Sequence, residues 1–193
     1  MFDTISVILL AAGGSSRLGA PKQLVMYKGK TLLRRSAQAA VGSRCGQVIV
    51  VFGSVDPALD AELHGLTIKR VVNTDWQCGI GTSIRCGMEA LRPGTEAVVI
   101  MLCDQPLVTS DLLNRLMDMY HTSGSQIVAS EYAETVGVPA LFSDTYFTDL
   151  LSLPPDHGAK KLLLSHASGV LSVPFPAGII DVDTPEDVER LNK

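Results

Sequence analysis

Three continuous apolar runs stand out along the chain: Val7-Ile8-Leu9-Leu10, Val48-Ile49-Val50-Val51-Phe52 and Ala97-Val98-Val99-Ile100-Met101-Leu102. Apolar residues at every position, not every second one, suit strands covered on both faces. Weaker strands are expected at Ile68 to Val72, Gln126 to Ala129, Val138 to Phe142 and Val170 to Val173. Between the runs the period lengthens to that of a helix. Ile80, Ile84, Met88 and Leu91 share one helical face, as do Leu112, Leu113, Leu116 and Tyr120. Leu32, Leu33, Ala37 and Ala40 follow Thr31, a helix-capping residue type, and Asp56-Pro57 and Thr184-Pro185 place a cap before a proline at the first helical position. This β–α alternation predicts an α/β fold with helices on both sides of a mainly parallel, doubly wound sheet. No repeat, linker or low-complexity stretch divides residues 1–193, which read as one domain.

Composition narrows the function classes. A chain of 193 residues that is 46% hydrophobic can bury one sizeable core. The net charge is -4 and no Lys/Arg run occurs, so no nucleic-acid surface is expected. A local basic pocket for one phosphorylated ligand remains compatible. Cys45, Cys78, Cys86 and Cys103 form no C-x-x-C pair and read as reduced, mostly buried thiols. His64, His121, His157 and His166 lack metal-ligand spacing. The apolar segment Ile5 to Ala12 is too short to span a bilayer and lacks a basic flank, so no membrane contact and a cytoplasmic location are expected.

The segment from Leu10 through Ala11, Ala12, Gly13, Gly14, Ser15 and Ser16 to Arg17, then on to Pro21 and Lys22, follows the first strand directly. Gly13 and Gly14 let backbone N–H groups approach and cradle phosphate oxygens. Ser15 and Ser16 add hydroxyls, Arg17 a planar fork and Lys22 a point charge. Gly14 and Gly19 have P-loop spacing, but Ala20-Pro21 stands where Lys-Ser/Thr is required, and G-x-G-x-x-G is missing. A strand-to-helix turn with incidental glycines is the plain alternative, and it leaves Arg17 and Lys22 unexplained.

Two carboxylate segments follow apolar runs. Asp104, in Cys103-Asp104-Gln105-Pro106, ends the long central strand, where ligands of parallel sheets sit. Asp181 and Asp183 follow Gly178-Ile179-Ile180. Two such carboxylates can hold one Mg²⁺ against phosphate oxygens. The alternatives are a turn residue at Asp104 and a helix cap at Asp183. Gly79, Gly81 and Ser83 lie where the Ile84 helix begins and can present free backbone groups. For Trp76, packing and ligand contact are equally open.

The Leu-Ala-Ala-Gly-Gly-Ser-Ser-Arg-Leu-Gly-Ala-Pro-Lys segment resembles the signature of nucleotidyltransferases related to the molybdenum cofactor guanylyl- and cytidylyltransferases. The likeness extends from Leu10 to Leu191 through Cys-Asp-Gln-Pro, Gly137-Val-Pro139 and Asp181-Val-Asp-Thr-Pro-Glu-Asp187. It implies a single-domain, Rossmann-like nucleotidyltransferase fold of three α/β/α layers with a mainly parallel mixed sheet. It assigns Arg17 and Lys22 to the nucleotide phosphates, as catalytic groups with Asp104. Residues Leu10 to Ser15 would bind the nucleotide, and Ser83, supported by Gly79 and Gly81, would meet base and ribose. Asp104 and Asp183 would hold Mg²⁺, with Asp181 a competing choice for the second ligand. Gly137 and Pro139 would lie beside the acceptor, with Lys160 on its phosphate. Here Lys160 replaces the family's arginine and Pro155 a glycine, so the planar fork is lost.

The double alanine, Cys-Asp-Gln-Pro and Gly-Val-Pro-Ala-Leu-Phe resemble the cytidylyltransferase branch. The implied reaction joins CTP and molybdopterin cofactor to give the cytosine dinucleotide form and pyrophosphate, with transient contact with a molybdenum hydroxylase or its chaperone. A guanylyl- or other small-phosphate transferase of the same fold, and a non-catalytic cofactor carrier, are the rival readings.

Overall fold

The apolar runs form the middle of one sheet: β1 (Phe2–Ala11), β4 (Cys45–Phe52) and β6 (Ala97–Leu102). The structure is a computed structural model and describes residues 2–14 and 21–191. The remaining strands are β2 (Met26–Tyr27), β3 (Lys30–Thr31), β5 (Lys69–Val72), β7 (Ile127–Tyr132), β8 (Thr135–Ser143) and β9 (Val170–Pro174). The helices are α1 (Leu32–Val41), α2 (Pro57–Glu62), α3 (Ile80–Glu89), α4 (Ser110–Ser123), α5 (Phe147–Leu151), α6 (Ala159–Ser165) and α7 (Pro185–Leu191). The main sheet has seven strands in the order β5-β4-β1-β6-β8-β7-β9. β5, β4, β1 and β6 are parallel, β8 is antiparallel to both of its neighbours, and β9 is parallel to β7. The α/β class and the mainly parallel mixed sheet are therefore as expected.

The strand period of two sorts the apolar runs between two cores. Val7, Leu9, Val50, Phe52, Val99 and Met101 face one layer with Leu32, Leu33, Leu113 and Leu116 of α1 and α4. Ile8, Leu10, Ile49, Val51, Val98 and Ile100 face the other with Ile84, Met88 and Leu163 of α3 and α6. Helix starts follow the capping chemistry. Thr31 Oγ1 accepts from the Arg34 N–H at 3.1 Å and Asp56 Oδ1 from the Ala58 N–H at 2.8 Å. Among the described residues no helix is long and apolar enough to cross a membrane.

Two details depart from the periodicity. β7 and β8 form a hairpin whose turn residues, Ala133 and Glu134, both have positive φ, at 49° and 57°. No Gly or Asn marks that turn, so β8 is longer than the expected Val138 to Phe142. Its register slips, with Ala129 opposite Ala140 but Ser130 opposite Gly137. Val138 and Pro139 fall in the slip, where a proline costs no ladder bond. The thiols also differ from expectation: all four cysteines are free, but only Cys103 is buried, and Cys78 is exposed.

Close packing of α3 on β1 depends on Gly87, where an added Cβ would lie 2.6 Å from Ile8 Cγ2. Gly87→Val is expected to lower unfolding free energy by roughly 1–3 kcal/mol through overpacking. Urea denaturation measures this, and an unchanged midpoint would show that α3 can shift away from the sheet at no cost.

Candidate functional site

Strand order reverses about β1, because β4 and β5 lie to one side and β6 to the other. The carboxyl ends of β1 and β6 therefore border a crevice, the place where open α/β sheets bind ligands. A cavity of about 300 Å³ lies there, lined by the Leu10–Gly14 segment, Trp76 and Gln77, Ile80 and Ser83 of α3, and Leu102 to Asp104. Lys22 and Gln23 complete the wall.

Gln23, for which sequence reasoning found no role, ties down the Gly-rich turn. It is 5% exposed, and its Nε2 donates to Ala11 O at 2.6 Å and Gly13 O at 3.1 Å. Trp76 packs its ring against both Gly14 and Gly53, beyond the ends of β1 and β4. A Cβ on Gly14 or Gly53 would come within 2.8 Å of its ring. The indole therefore packs on the turn and also lines the cavity.

The Lys22 ammonium bridges the two carboxylate segments, with Nζ 2.8 Å from Asp104 Oδ2 and 2.6 Å from Asp183 Oδ1. Burial alone would pull the Lys22 pKa down, but Asp104 and then Asp183 outweigh it and hold the pKa above its usual value. Asp104 is held by its strand end, where the Val182 N–H donates to Asp104 O at 3.1 Å. Asp183 is steadied by the start of α7. Asp187 Oδ2 accepts from the backbone N–H groups of Asp183 and Thr184 and from the Thr184 hydroxyl. The Thr184 Oγ1 in turn accepts from the Asp187 N–H, a reciprocal cap. Asp181, the competing choice, is exposed, whereas Asp183 pairs with Lys22. Partial desolvation of the Asp181 carboxyl, then the fields of Asp183 and Asp104, push its pKa up.

The donor set suits a divalent cation. Asp104 Oδ1 is buried and, among the described residues, accepts no hydrogen bond, an arrangement that a hard cation would satisfy. Three or more His, Cys, Asp or Glu side chains do not gather around one point among the described residues. Water and phosphate oxygens would therefore complete the coordination.

Other expected residues are placed differently. Gly79 (φ 130°) and Gly81 do not open their backbone to the cavity. The Gly81 N–H donates to Pro155 O at 2.8 Å and the Gly79 N–H to Trp76 O at 3.1 Å. An added Cβ at either glycine would lie 2.2 Å from a carbonyl oxygen of Pro154 or Pro155. Their glycine character serves close approach of the 154–157 loop. Pro139 sits in the β8 slip and Gly137 at its edge against Tyr132, whose hydroxyl donates to Val138 O at 3.1 Å. Lys160 is exposed on α6. None of these five residues lines the cavity. Ser15 and Arg17 lie outside the described residues.

The family model of the MobA-like NTP transferase domain matches residues 7–170. The chain belongs to this family. As a MobA-like NTP transferase domain protein it is a nucleotidyltransferase by family. It is similar to the purine catabolism protein PucB of Bacillus subtilis (strain 168), with 30% identity over 96% of this chain and 95% of PucB. Rv0371c of Mycobacterium tuberculosis H37Rv superposes with a TM-score of 0.84 and 33% identity, covering 97% of this chain and 96% of Rv0371c. A second Rv0371c structure is a complex with manganese, with a TM-score of 0.78, 32% identity and 97% of each chain covered. Molybdopterin-guanine dinucleotide biosynthesis protein A of Archaeoglobus fulgidus shares the fold, with a TM-score of 0.70 and 17% identity over 97% of this chain and 96% of its own.

Replacing Lys22 in this MobA-like chain leaves two carboxylates facing each other. Lys22→Met is expected to cost about 2 kcal/mol, below the roughly 3–5 kcal/mol of a fully buried pair because solvent screens Asp183. The Asp183 side chain is 45% exposed. Denaturant midpoints of wild type and variant at neutral pH measure the difference. Equal midpoints would mean that the ammonium contributes nothing to holding the carboxylates together.

Proposed function

We propose that this protein transfers CMP from CTP to molybdopterin cofactor, giving molybdopterin cytosine dinucleotide and pyrophosphate, in the cytoplasm. The observation that carries the reading is the convergence of Asp104, Asp183 and Lys22 beside the Gly13–Gly14 turn. Preference for cytosine and for the molybdopterin acceptor rests on the resemblance of the motifs to the cytidylyltransferase branch.

Asp104 and Asp183 would hold the Mg²⁺, with the manganese complex of Rv0371c as support from a relative. When bound, the cation would neutralise phosphate oxygens and polarise the α-phosphorus. The Gly13–Gly14 backbone, held by Gln23, positions the triphosphate along the β1 end. Lys22 lies beside this turn, its Cε 3.9 Å from where a Cβ on Gly13 would stand. Its charge, with that of Arg17, offsets the negative charge growing on the leaving pyrophosphate. The terminal phosphate oxygen of the acceptor forms the new bond to the α-phosphorus as the bond to the bridging pyrophosphate oxygen breaks. No protein nucleophile enters, so the contribution of the chain is placement and electrostatics. Trp76 and Ile80, which line the cavity, would wall off the base, and Ser83 would meet it. Gly137, Pro139 and Lys160, away from the cavity, are assigned to the acceptor, and the product passes to a molybdenum hydroxylase or its chaperone.

Thermal melts with CTP, GTP, ATP and UTP, with and without Mg²⁺, test the reading. A ligand at a hundredfold excess over Kd adds roughly 2.7 kcal/mol to the folded state. Selective, Mg²⁺-dependent stabilisation by CTP is expected. A preference for GTP would move the assignment to the guanylyl branch, and no shift with any nucleotide would favour a cofactor carrier. Asp104→Asn is expected to keep the fold and lose pyrophosphate release by at least about a hundredfold, as when an electrostatic contact to the reacting phosphates is removed. Near-normal release by that variant would sink the metal assignment.

A further inference from the structure

Asn73 follows β5 and is 6% exposed, and its carboxamide has only one workable orientation. Its Oδ1 accepts from the Asp75 N–H at 3.0 Å, so Nδ2 is the end that faces α3. Nδ2 donates to Thr82 Oγ1 at 2.8 Å and to Ser83 Oγ at 2.9 Å. A flipped amide would set N–H against N–H at Asp75. The two hydroxyls then differ in what they have left. Thr82 spends its proton on Gly79 O at 2.7 Å, with Asp75 O at 3.1 Å. Ser83 is 4% exposed and lines the cavity, and its proton has no acceptor among the described residues.

A buried hydroxyl proton without an acceptor is costly, so an acceptor on the ligand is favoured. We infer that Asn73 is a positioning residue that fixes Ser83 as a donor into the cavity, and that this donor selects cytosine over uracil. Cytosine carries an unprotonated N3 on its pairing edge, whereas uracil carries N3–H there. Meeting uracil N3–H would require Ser83 to accept a second hydrogen bond and leave its own proton buried and unpaired. Sites built around a defined hydrogen bond discriminate in this way more sharply than apolar pockets. The inference rests on the proposal that the nucleotide base lies against Ser83 with its 3-position facing the hydroxyl, because O2, which both bases carry, would accept from Ser83 equally.

The test is competitive titration of Mg²⁺–CTP against Mg²⁺–UTP on wild type, Asn73→Asp, Asn73→Leu and Ser83→Ala, each checked for folding by its thermal melt. Asn73→Asp is isosteric: one carboxylate oxygen still takes the Asp75 N–H, and the other accepts the Ser83 proton. The serine lone pairs are then turned toward the base. The CTP-over-UTP affinity ratio is expected to fall by about tenfold or more, the scale of one buried polar group changing its pairing. Asn73→Leu frees the hydroxyl to rotate and is expected to give an intermediate ratio. Ser83→Ala is expected to weaken CTP binding. Unchanged CTP affinity in Ser83→Ala would overturn the placement of the base and the inference with it. Weakened binding in Ser83→Ala with an unaltered ratio in both Asn73 variants would overturn the positioning role alone.

Discussion

Lys22 Nζ joins two acidic segments that lie 82 and 161 residues further along the chain, and the polar end of the sheet is arranged around that junction. Each of the three charges loses solvation on coming into the crevice, and a buried pair recovers that loss only when its geometry is good. Here the geometry is supplied from outside the ion pairs. Asp104 is fixed by the end of β6 and Asp183 by the cap of α7. The Val182 N–H to Asp104 carbonyl bond fastens the two segments to each other. Lys22 sits just before Gln23, whose amide is bonded to the end of β1. The bridge therefore fixes the position of the two carboxylates relative to each other.

The fold makes such an arrangement possible at only one end of the sheet. Through the middle of β1, β4 and β6 both faces are covered by helices, and the side chains are almost all apolar, with Ser6 of β1 the buried exception. Polar groups are buried where backbone or side-chain partners exist to receive them, and the ends of these strands supply many such partners. Gln23, Asn73, Ser83 and Gln105, each at most 6% exposed, lie in the segments that follow β1, β5 and β6 or at the start of α3. Three of the four make hydrogen bonds that fix either the Gly-rich turn or the wall opposite it. The site is thus a polar rim on an apolar stack.

The apolar stack was legible in the sequence, and the rim only in part. Runs such as Val48 to Phe52 admit few readings other than a covered strand, and Thr31 and Asp56 mark helix starts by local chemistry. Strand direction has no comparable local signal, and the β7–β8 turn uses Ala133 and Glu134 where Gly or Asn would announce it. Lys22 drew attention as a phosphate-binding charge, but its pairing with Asp104 and Asp183 is a tertiary fact that no spacing encodes. Gly79 and Gly81 show the limit of a glycine argument. Their sequence signals close approach, and the group that approaches in this structure is the backbone of Pro154 and Pro155. Asn73 and Gln23 were passed over because a single amide among loop residues looks ordinary until its burial is known.

The charge balance of the rim bears on which form of a nucleotide it would receive. Asp104, Asp181 and Asp183 lie within one another's fields, and among the described residues Lys22 is the cation paired with two of them. A bare triphosphate entering beside these carboxylates would meet like charge in a partly desolvated crevice, where such repulsion is weakly screened. A triphosphate carrying a divalent cation brings the charge that Asp104 Oδ1 lacks as a partner. The same carboxylates that oppose the free nucleotide would then hold its metal complex. On that argument the acidic rim and the Gly-rich turn would act as one device: the turn would offer N–H groups to phosphate oxygens, and the rim would admit those oxygens with their cation.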